Sequence, residues 1–361
     1  MIKPIRTIAA LAALVFAMAA PHPVRATGIT IINEVTSNGY KFINFDGPGA
    51  GTAAAAGTNM NGIANNGTVV GFGIANNGNL TNFTANPLTS SSANVLTSLA
   101  TNAMALGVNS VGSVVGTDGA GNAFIISGGG SPVPFLPGSS TAATAFGIND
   151  KGAIAGQMTL GTNTPGFILN GDNLITGNAP NGASPNVVNA QGINNNGLVV
   201  GFYVGTDGQF HGFTGNISSA VGGVLTGTAV TDPTIPTVPG EPGATFMFSQ
   251  MLGINDHGIA VGYYGDSTMS QHGYFYNTMT GTYTFLDDPN AAFSNGVEVT
   301  QITGINNSGE ITGFYSDANG VFHGFIATAV PEPGSFALLC IGAVSLLGVR
   351  FMRQSRPKAA S

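Results

Sequence analysis

The stretch GINNNGLVVGFYVGTDGQFHGF, Gly192 to Phe213, carries the argument for the fold. Gly-Ile-Asn reads as the end of a strand. Asn195, Asn196 and Gly197 then make a turn, because glycine takes positive φ without steric cost and asparagine hydrogen-bonds its own backbone. Leu198 to Tyr203 is rich in β-branched and aromatic residues and returns as the antiparallel partner. Asp207-Gly208 marks the tip of a second hairpin, after which Phe210-His211-Gly212-Phe213 continues as a third strand.

The opening phrase recurs six times: GIANNGTVVG from Gly62, GVNSVGSVVG from Gly107, GINDKGAIAG from Gly147, GINNNGLVVG from Gly192, GINDHGIAVG from Gly253 and GINNSGEITG from Gly304. The starts lie 45, 40, 45, 61 and 51 residues apart. In the fifth copy GYFYNTMTGTYTFLDD, Gly273 to Asp288, adds a third turn at Thr280-Gly281, so one unit is about four short antiparallel strands. Val199, Gly201 and Tyr203 share one face of the return strand, and the recurring glycine predicts close approach by a neighbouring sheet or ring.

Four-strand units of about 40 to 50 residues fit propeller blades better than solenoid coils. One phrase per blade predicts an all-β, six-bladed β-propeller-like ring over residues 27–329. The last His-Gly-Phe strand, His323 to Thr328, has no partner after it, and the first strand, Tyr40-Lys41-Phe42, has none before it. Pairing them would close the ring and remove both exposed edges. The longest spacing comes from residues 216–245, where DPTIPTVPGEPG reads as a loop.

Only Lys41 and Lys151 are basic between residues 27 and 329, against fifteen acids, a net charge of about −13. Such a surface repels phosphate backbones and excludes nucleic-acid binding. The N-terminus has Lys3 and Arg6, the run IAALAALVFAMAA and a small-residue site ending at Ala26, which predicts a secretory signal peptide over residues 1–26 cleaved after Ala26. The one cysteine, Cys340, falls in a C-terminal apolar run, so the body has neither disulfide nor thiol nucleophile. That run, residues 335–349, is followed by Arg350, Arg353, Arg356 and Lys358, which predicts a short transmembrane helix with arginines as topological stop on the cytoplasmic side.

Two resemblances follow. The phrase Gly-Ile-Asn-x-x-Gly and the trailing His-Gly-Phe/Tyr resemble the bacterial extracellular HAF-type repeat family over residues 38–329. The first three copies depart from it with Asn82-Phe83, Ala123-Phe124 and Gly166-Phe167. This resemblance implies an extracellular repeat domain and no particular activity. Pro331-Glu332-Pro333, the apolar run and the arginine cluster resemble the PEP-CTERM sorting signal of Gram-negative bacteria over residues 329–358. It implies recognition at Pro331, Glu332 and Pro333 by an exosortase-type membrane enzyme. It also implies transient inner-membrane anchoring, and delivery to the cell surface or extracellular biofilm matrix.

Four chemistries are open to these residue types. His211, His272 and His323 share one repeat position and would sit in successive blades, so a structural role within each blade is expected for them, and His257 joins no metal set. The turns Gly205 to Gly208 and Ser316 to Gly320 carry one acid each, too few for a dedicated calcium loop. Asp287-Asp288 is the one adjacent acid pair that a glycosidase could use. Thr312 stands alone in its phrase, which does not build an ice-binding rank. The reading is therefore a structural, adhesive or polysaccharide-binding surface protein, with no catalytic residue, metal or cofactor assigned. Tyr203, Tyr264 and Tyr315 could stack on sugars or pack between blades. The alternative is a secreted carbohydrate-active enzyme with its site on the axial face.

Overall fold

The structure is a computed structural model that describes residues 28–100, 102–180 and 186–330. Ala26, Pro331, Glu332, Pro333, Arg350, Arg353, Arg356 and the apolar run 335–349 lie outside the described residues. Among the described residues no helix is long and apolar enough to cross a membrane.

Six antiparallel units succeed one another in the order of the six phrases. Blade 1 is built from Gly57–Ile63, Val69–Ile74, Leu80–Ala85 and Ala93–Val95. Blade 2 uses Met104–Val108, Val114–Thr117, Ala123–Ile126 and Val133–Phe135. Blade 3 uses Ala142–Ile148, Ile154–Thr159, Gly166–Asn170 and Asn173–Asn178. Blade 4 uses Val188–Ile193, Leu198–Val204, Phe210–Asn216 and the short Thr228–Ala229. Blade 5 uses Phe246–Ile254, Ile259–Asp266, Gln271–Asn277 and Thr282–Phe285. Blade 6 combines Thr300–Ile305, Ile311–Ser316 and Phe322–Ala329 with Tyr40–Asp46 and Thr30–Ser37 from the other end of the chain.

The closing pair is formed as expected: Tyr40–Asp46 runs antiparallel to Phe322–Ala329, with Tyr40 opposite Ala329 and Phe45 opposite Gly324. Around the axis the six phrase-opening glycines touch in sequence. A Cβ built on Gly62 would stand 3.5 Å from the Cα of Gly107. The same step is 3.1 Å from Gly107 to Gly147, 3.4 Å from Gly147 to Gly192, 3.1 Å from Gly192 to Gly253, 3.0 Å from Gly253 to Gly304 and 3.1 Å from Gly304 back to Gly62. Each inner strand carries a bulge immediately before this glycine, as between Ala190 and Gly192 or Met251 and Gly253. The extra residue increases the local twist and aims the glycine at the axis. A side chain at these positions would push the six strands apart.

The return-strand glycines admit a ring, one of the two alternatives expected, and not a neighbouring sheet: a Cβ on Gly201 would lie 2.9 Å from the Phe213 ring and would also overlap the Asn189 carbonyl of the same blade. One expectation is corrected: residues 216–245 are more than a loop. They contain the 3-10 turn Ile217–Ser219 and the strand Val224–Thr226, which adds in parallel to the outer edge of blade 3. They also supply the outer strand of blade 4, Thr228–Ala229. The insert thus covers two sheet edges.

The aromatic of each His-Gly-Phe/Tyr position fills the blade core. Phe83, Phe124, Phe167, Phe213, Tyr274 and Phe325 are all buried. The first three blades therefore keep the aromatic while lacking the histidine. Burial of each such ring contributes about 1.5–3 kcal/mol.

Candidate functional site

Because the strands alternate in direction, the turns after the six inner strands lie on one face of the ring and the tips of the second hairpins lie on the other. The first face is asparagine-rich. Asn109, Asn149, Asn194, Asn255 and Asn306, the third residues of five phrases, are buried. Each donates its side-chain amide to the carbonyl of the corresponding residue in the next blade: Asn109 to Asn149 at 3.0 Å, Asn149 to Asn194 at 2.9 Å, Asn194 to Asn255 at 2.9 Å, Asn255 to Asn306 at 3.1 Å and Asn306 to Ala64 at 3.2 Å. The amide oxygen meanwhile accepts from its own turn; that of Asn194 takes the N–H groups of Asn196 and Leu198, both at 3.0 Å. Asparagine is required because it gives and takes at once.

The next residue of each phrase forms a second ring nearer solvent. The N–H of Asn65 donates to Ser110, Ser110 to Asp150, Asp150 to Asn195, Asn195 to Asp256, Asp256 to Asn307 and Asn307 back to Asn65, at 2.7 to 3.2 Å. Burial acts to raise the carboxyls of Asp150 and Asp256. Donated hydrogen bonds, from the Ser110 N–H and Asn65 amide to Asp150 and from the Asn307 and Asn195 amides to Asp256, outweigh it and hold both below their usual value. The rings surround an axial cavity of about 60 Å³. Beside it, between blades 3 and 4, a cleft of about 360 Å³ is lined by Lys151, Asn170, Asn195, Asn196, Asn216 and Ser218 among others.

The opposite face carries the histidines, one in each of blades 4, 5 and 6. His211, His272 and His323 pack against Tyr203, Tyr264 and Tyr315, with ring centroids 5.7, 5.1 and 5.3 Å apart. Each Nδ1 lies 2.8 Å from an aspartate at the outer strand's end, Asp232, Asp287 and Asp46 respectively. In blades 4 and 6 Nε2 faces one acid of the hairpin tip, Asp207 at 3.1 Å and Asp317 at 3.7 Å. The three do not meet at one point. Tyr203, Tyr264 and Tyr315 are at most 6% exposed, which removes them as sugar-stacking platforms; each lies on its histidine and in a core cluster shared with the preceding blade, as packing between blades requires. His257 lies elsewhere, in the blade 5 turn, its N–H donating to Asn255.

Blade 5 differs in one respect. Glu241, from the proline-rich insert, places a carboxylate oxygen 3.1 Å from His272 Nε2, and Asp266 lies 3.9 Å from the same nitrogen. Burial would lower the His272 imidazole, but Asp287 and Glu241 carry it up to about 9. Burial and the Asp287 charge push Glu298, beside this group, up to about 7. The adjacent acids Asp287 and Asp288 diverge: Asp287 holds His272 and the N–H of Gly273, whereas Asp288 is buried and accepts from Asn290 and from Asn44 at 3.2 Å. Burial raises Asp288 to about 6. Glu241 and Asp266 were not singled out in the sequence, and the 61-residue gap that brings Glu241 in was its only signal.

Residues 329–354 match the family model of the PEP-CTERM protein-sorting motif. The chain therefore carries the sorting signal of exported, exosortase-processed surface proteins at its C-terminal end. No curated protein matches the chain. Among solved structures it is similar to a gluconolactonase from Xanthomonas campestris, at 10% identity and TM-score 0.47 over 86% of this chain and 98% of that one. It is also similar to the SapL1 lectin in complex with alpha methyl fucoside, at 12% identity and TM-score 0.39 over 76% and 97%. A third similarity is to TolB from Acinetobacter baumannii, at 7% identity and TM-score 0.43 over 81% of this chain. The chain spans 66% and 61% of the length of the two TolB-type structures it matches.

Proposed function

We propose that this exported, surface-sorted protein is a six-bladed, non-catalytic binder of neutral polysaccharide, and that the amide-lined cleft between blades 3 and 4 holds the chain of sugars. The observation that carries this reading is the cleft itself. Its volume of about 360 Å³ accommodates a short run of sugar rings. Its lining offers primary amides whose remaining donors and acceptors, beside those spent on the protein, suit vicinal hydroxyls that also give and take hydrogen bonds. Asn170, Asn196 and Lys151 are exposed there; Lys151 gives one proton to the Asn195 carbonyl at 2.7 Å and Asn196 one to the Asp256 carbonyl at 3.1 Å, and their remaining donors face solvent. The body's fifteen acids against two bases disfavour an anionic polymer, which selects neutral sugars. Exosortase processing near Pro331 to Pro333 after transient inner-membrane anchoring would leave this face in the extracellular matrix.

A polysaccharide array probed with the exported protein tests the reading. Neutral glycans are expected to bind, with little dependence on salt, and Asn170→Trp, which fills the cleft from an exposed position, is expected to abolish binding while leaving unfolding unchanged. Release of reducing sugar by the wild type would instead support the enzyme reading, and undiminished binding by Asn170→Trp would place the ligand elsewhere.

A further inference from the structure

We propose that Glu241, Asp266 and His272 together bind one divalent transition-metal ion, of the zinc class, that fastens the proline-rich insert to blade 5. This goes beyond the glycan reading and does not depend on it. The three donors come from three segments: the insert, the end of strand Ile259–Asp266 and the start of strand Gln271–Asn277. All three are buried, and their ligand atoms lie within 4.8 Å of one another. Two ligands about 2.0–2.1 Å from a tetrahedral ion stand about 3.3–3.4 Å apart. The observed separations from His272 Nε2, 3.1 Å to Glu241 and 3.9 Å to Asp266, bracket that edge.

The decisive feature is Asp266. Its side chain is fully buried, and among the described residues its Oδ2 has no hydrogen-bond partner. The other oxygen, Oδ1, is held by the N–H of Thr268 at 2.9 Å, the Thr268 hydroxyl at 2.7 Å and the N–H of Ser270 at 3.2 Å. One oxygen therefore orients the carboxylate while the free one points toward His272. A buried carboxylate oxygen left without a donor is costly, and a cation satisfies it. Glu241 is held in the same way, its Oε1 2.9 Å from the Thr268 hydroxyl, so one hydroxyl proton serves two carboxylates.

His272 is oriented as a ligand. Its Nδ1 lies 2.8 Å from Asp287 Oδ2, while Asp287 Oδ1 accepts from the N–H of Gly273 at 2.9 Å. A carboxylate on the far ring nitrogen fixes the tautomer and leaves Nε2 for the metal. On binding, the ion takes the Nε2 lone pair and any proton there passes to water. An imidazole nitrogen among the donors favours zinc over calcium, which prefers oxygen throughout. Blades 4 and 6 serve as internal comparison: His211 and His323 have the same tyrosine and the same Nδ1 aspartate, but Nε2 faces only Asp207 or Asp317, without a second carboxylate from an insert.

The test is calorimetric titration of the chelator-stripped exported protein with Zn²⁺. One ion per chain is expected. Asp287→Asn, which disturbs only the support of the ligand, should weaken binding about 10–100-fold. Asp266→Asn and Glu241→Gln should weaken it more, and His211→Gln not at all. Asp266→Asn keeps its oriented oxygen and loses the unpartnered charge, so with chelator present its unfolding temperature should equal or exceed that of the wild type, and Zn²⁺ should raise only the wild type. The proposal is overturned if the folded wild type takes up no Zn²⁺, if it takes up Ca²⁺ in preference, or if Asp266→Asn binds Zn²⁺ as tightly as the wild type.

Discussion

The two faces of the ring solve the same problem, how to hold six weakly charged blades together, with different chemistry. On the asparagine face five blades are tied to the next by the same two residues of the phrase and blade 1 by the outer one, so that the outer of the two hydrogen-bond rings closes on itself through six links. On the opposite face the histidine–aspartate ties run within blades 4, 5 and 6, and the bonds between blades follow no repeat, as where Asn82 meets the Ala103 carbonyl and the Ala105 N–H or the Gln271 N–H meets the Glu298 carbonyl. Neutral amides satisfied by backbone can be repeated around an axis without accumulating charge. Ionisable groups cannot, and that face varies from blade to blade until one blade, the fifth, gathers more carboxylate than its imidazole can pair.

The largest effect should come from breaking the amide belt. Asn194→Ala removes the donor to the Asn255 carbonyl and the acceptor of the Asn196 and Leu198 N–H groups, in a buried position. Leaving these groups unsatisfied should cost about 2–3 kcal/mol. Urea unfolding would measure it, with Asn196→Ala as the exposed control expected to lose less. Equal losses for the two variants would mean that the belt is decoration on a ring held by its glycines and aromatics alone.

How much of this contrast was legible in the sequence follows from its periodicity. The repeated Gly-Ile-Asn encoded the inner strand's end and the turn, and the unpaired first and last strands encoded closure, because each relies on local geometry or on simple counting of partners. The role of the third-position asparagine was present in the same letters, but its partner lies one blade away, and spacing alone does not tell a turn asparagine from a belt asparagine. The histidines' confinement to their own blades followed from repeat position. For Tyr203, Tyr264 and Tyr315 alternation left two uses open, sugar stacking and packing between blades, since it gives a face without saying what covers it. Glu241 was out of reach for another reason. The path of a proline-rich segment across a sheet edge is set by tertiary contacts, so nothing in DPTIPTVPGEPG gives its distance from His272.

A smaller effect, specific to the histidine face, should appear at the ring's closure. His323 lies on strand Phe322–Ala329 and its Nδ1 partner Asp46 lies on the N-terminal strand Tyr40–Asp46. Burial acts to lower this imidazole, and the carboxylates of Asp46 and Asp317 overcome it and raise it above the ordinary histidine value. A folded value above the unfolded one, near about 6.5, means that the pair's stabilisation is complete below that pH and is lost as pH rises through the raised value. The difference in unfolding temperature between wild type and His323→Gln should therefore be greatest near about pH 5.5 and shrink toward about pH 9. His211 and His272 titrate in both proteins and cancel. A difference that does not vary with pH would assign His323 a packing role on Tyr315 and nothing more.

The asparagine face also contains one irregularity, and it yields the smallest predicted change. Blade 1 has Ala64 where the other five phrases have asparagine, so Ala64 accepts from Asn306 but sends nothing on to Asn109. The turn around it has the backbone of its counterparts: Ala64 N–H donates to the Thr68 carbonyl at 2.8 Å and Gly67 N–H donates to Ala64 at 3.0 Å, as Asn194 N–H donates to Leu198 at 3.0 Å and Gly197 N–H to Asn194 at 3.1 Å. An asparagine placed there adds a donor toward the Asn109 carbonyl; the Thr68 N–H of its turn already donates to Asn66 Oδ1 at 3.0 Å, so the gain is the link between blades and not a cap. Asn66, which now spans from blade 1 to the Ser110 carbonyl at 3.2 Å, lies one step further out and does not occupy that path. Ala64→Asn should thus complete the inner ring and stabilise the fold by about 0.5–1.5 kcal/mol, read as a rise in the urea midpoint. A loss of stability would show that blade 1, which shares its edge with the closing blade through the pairing of Gly57 with Phe322, is drawn too close to blade 2 at this level to admit a sixth amide.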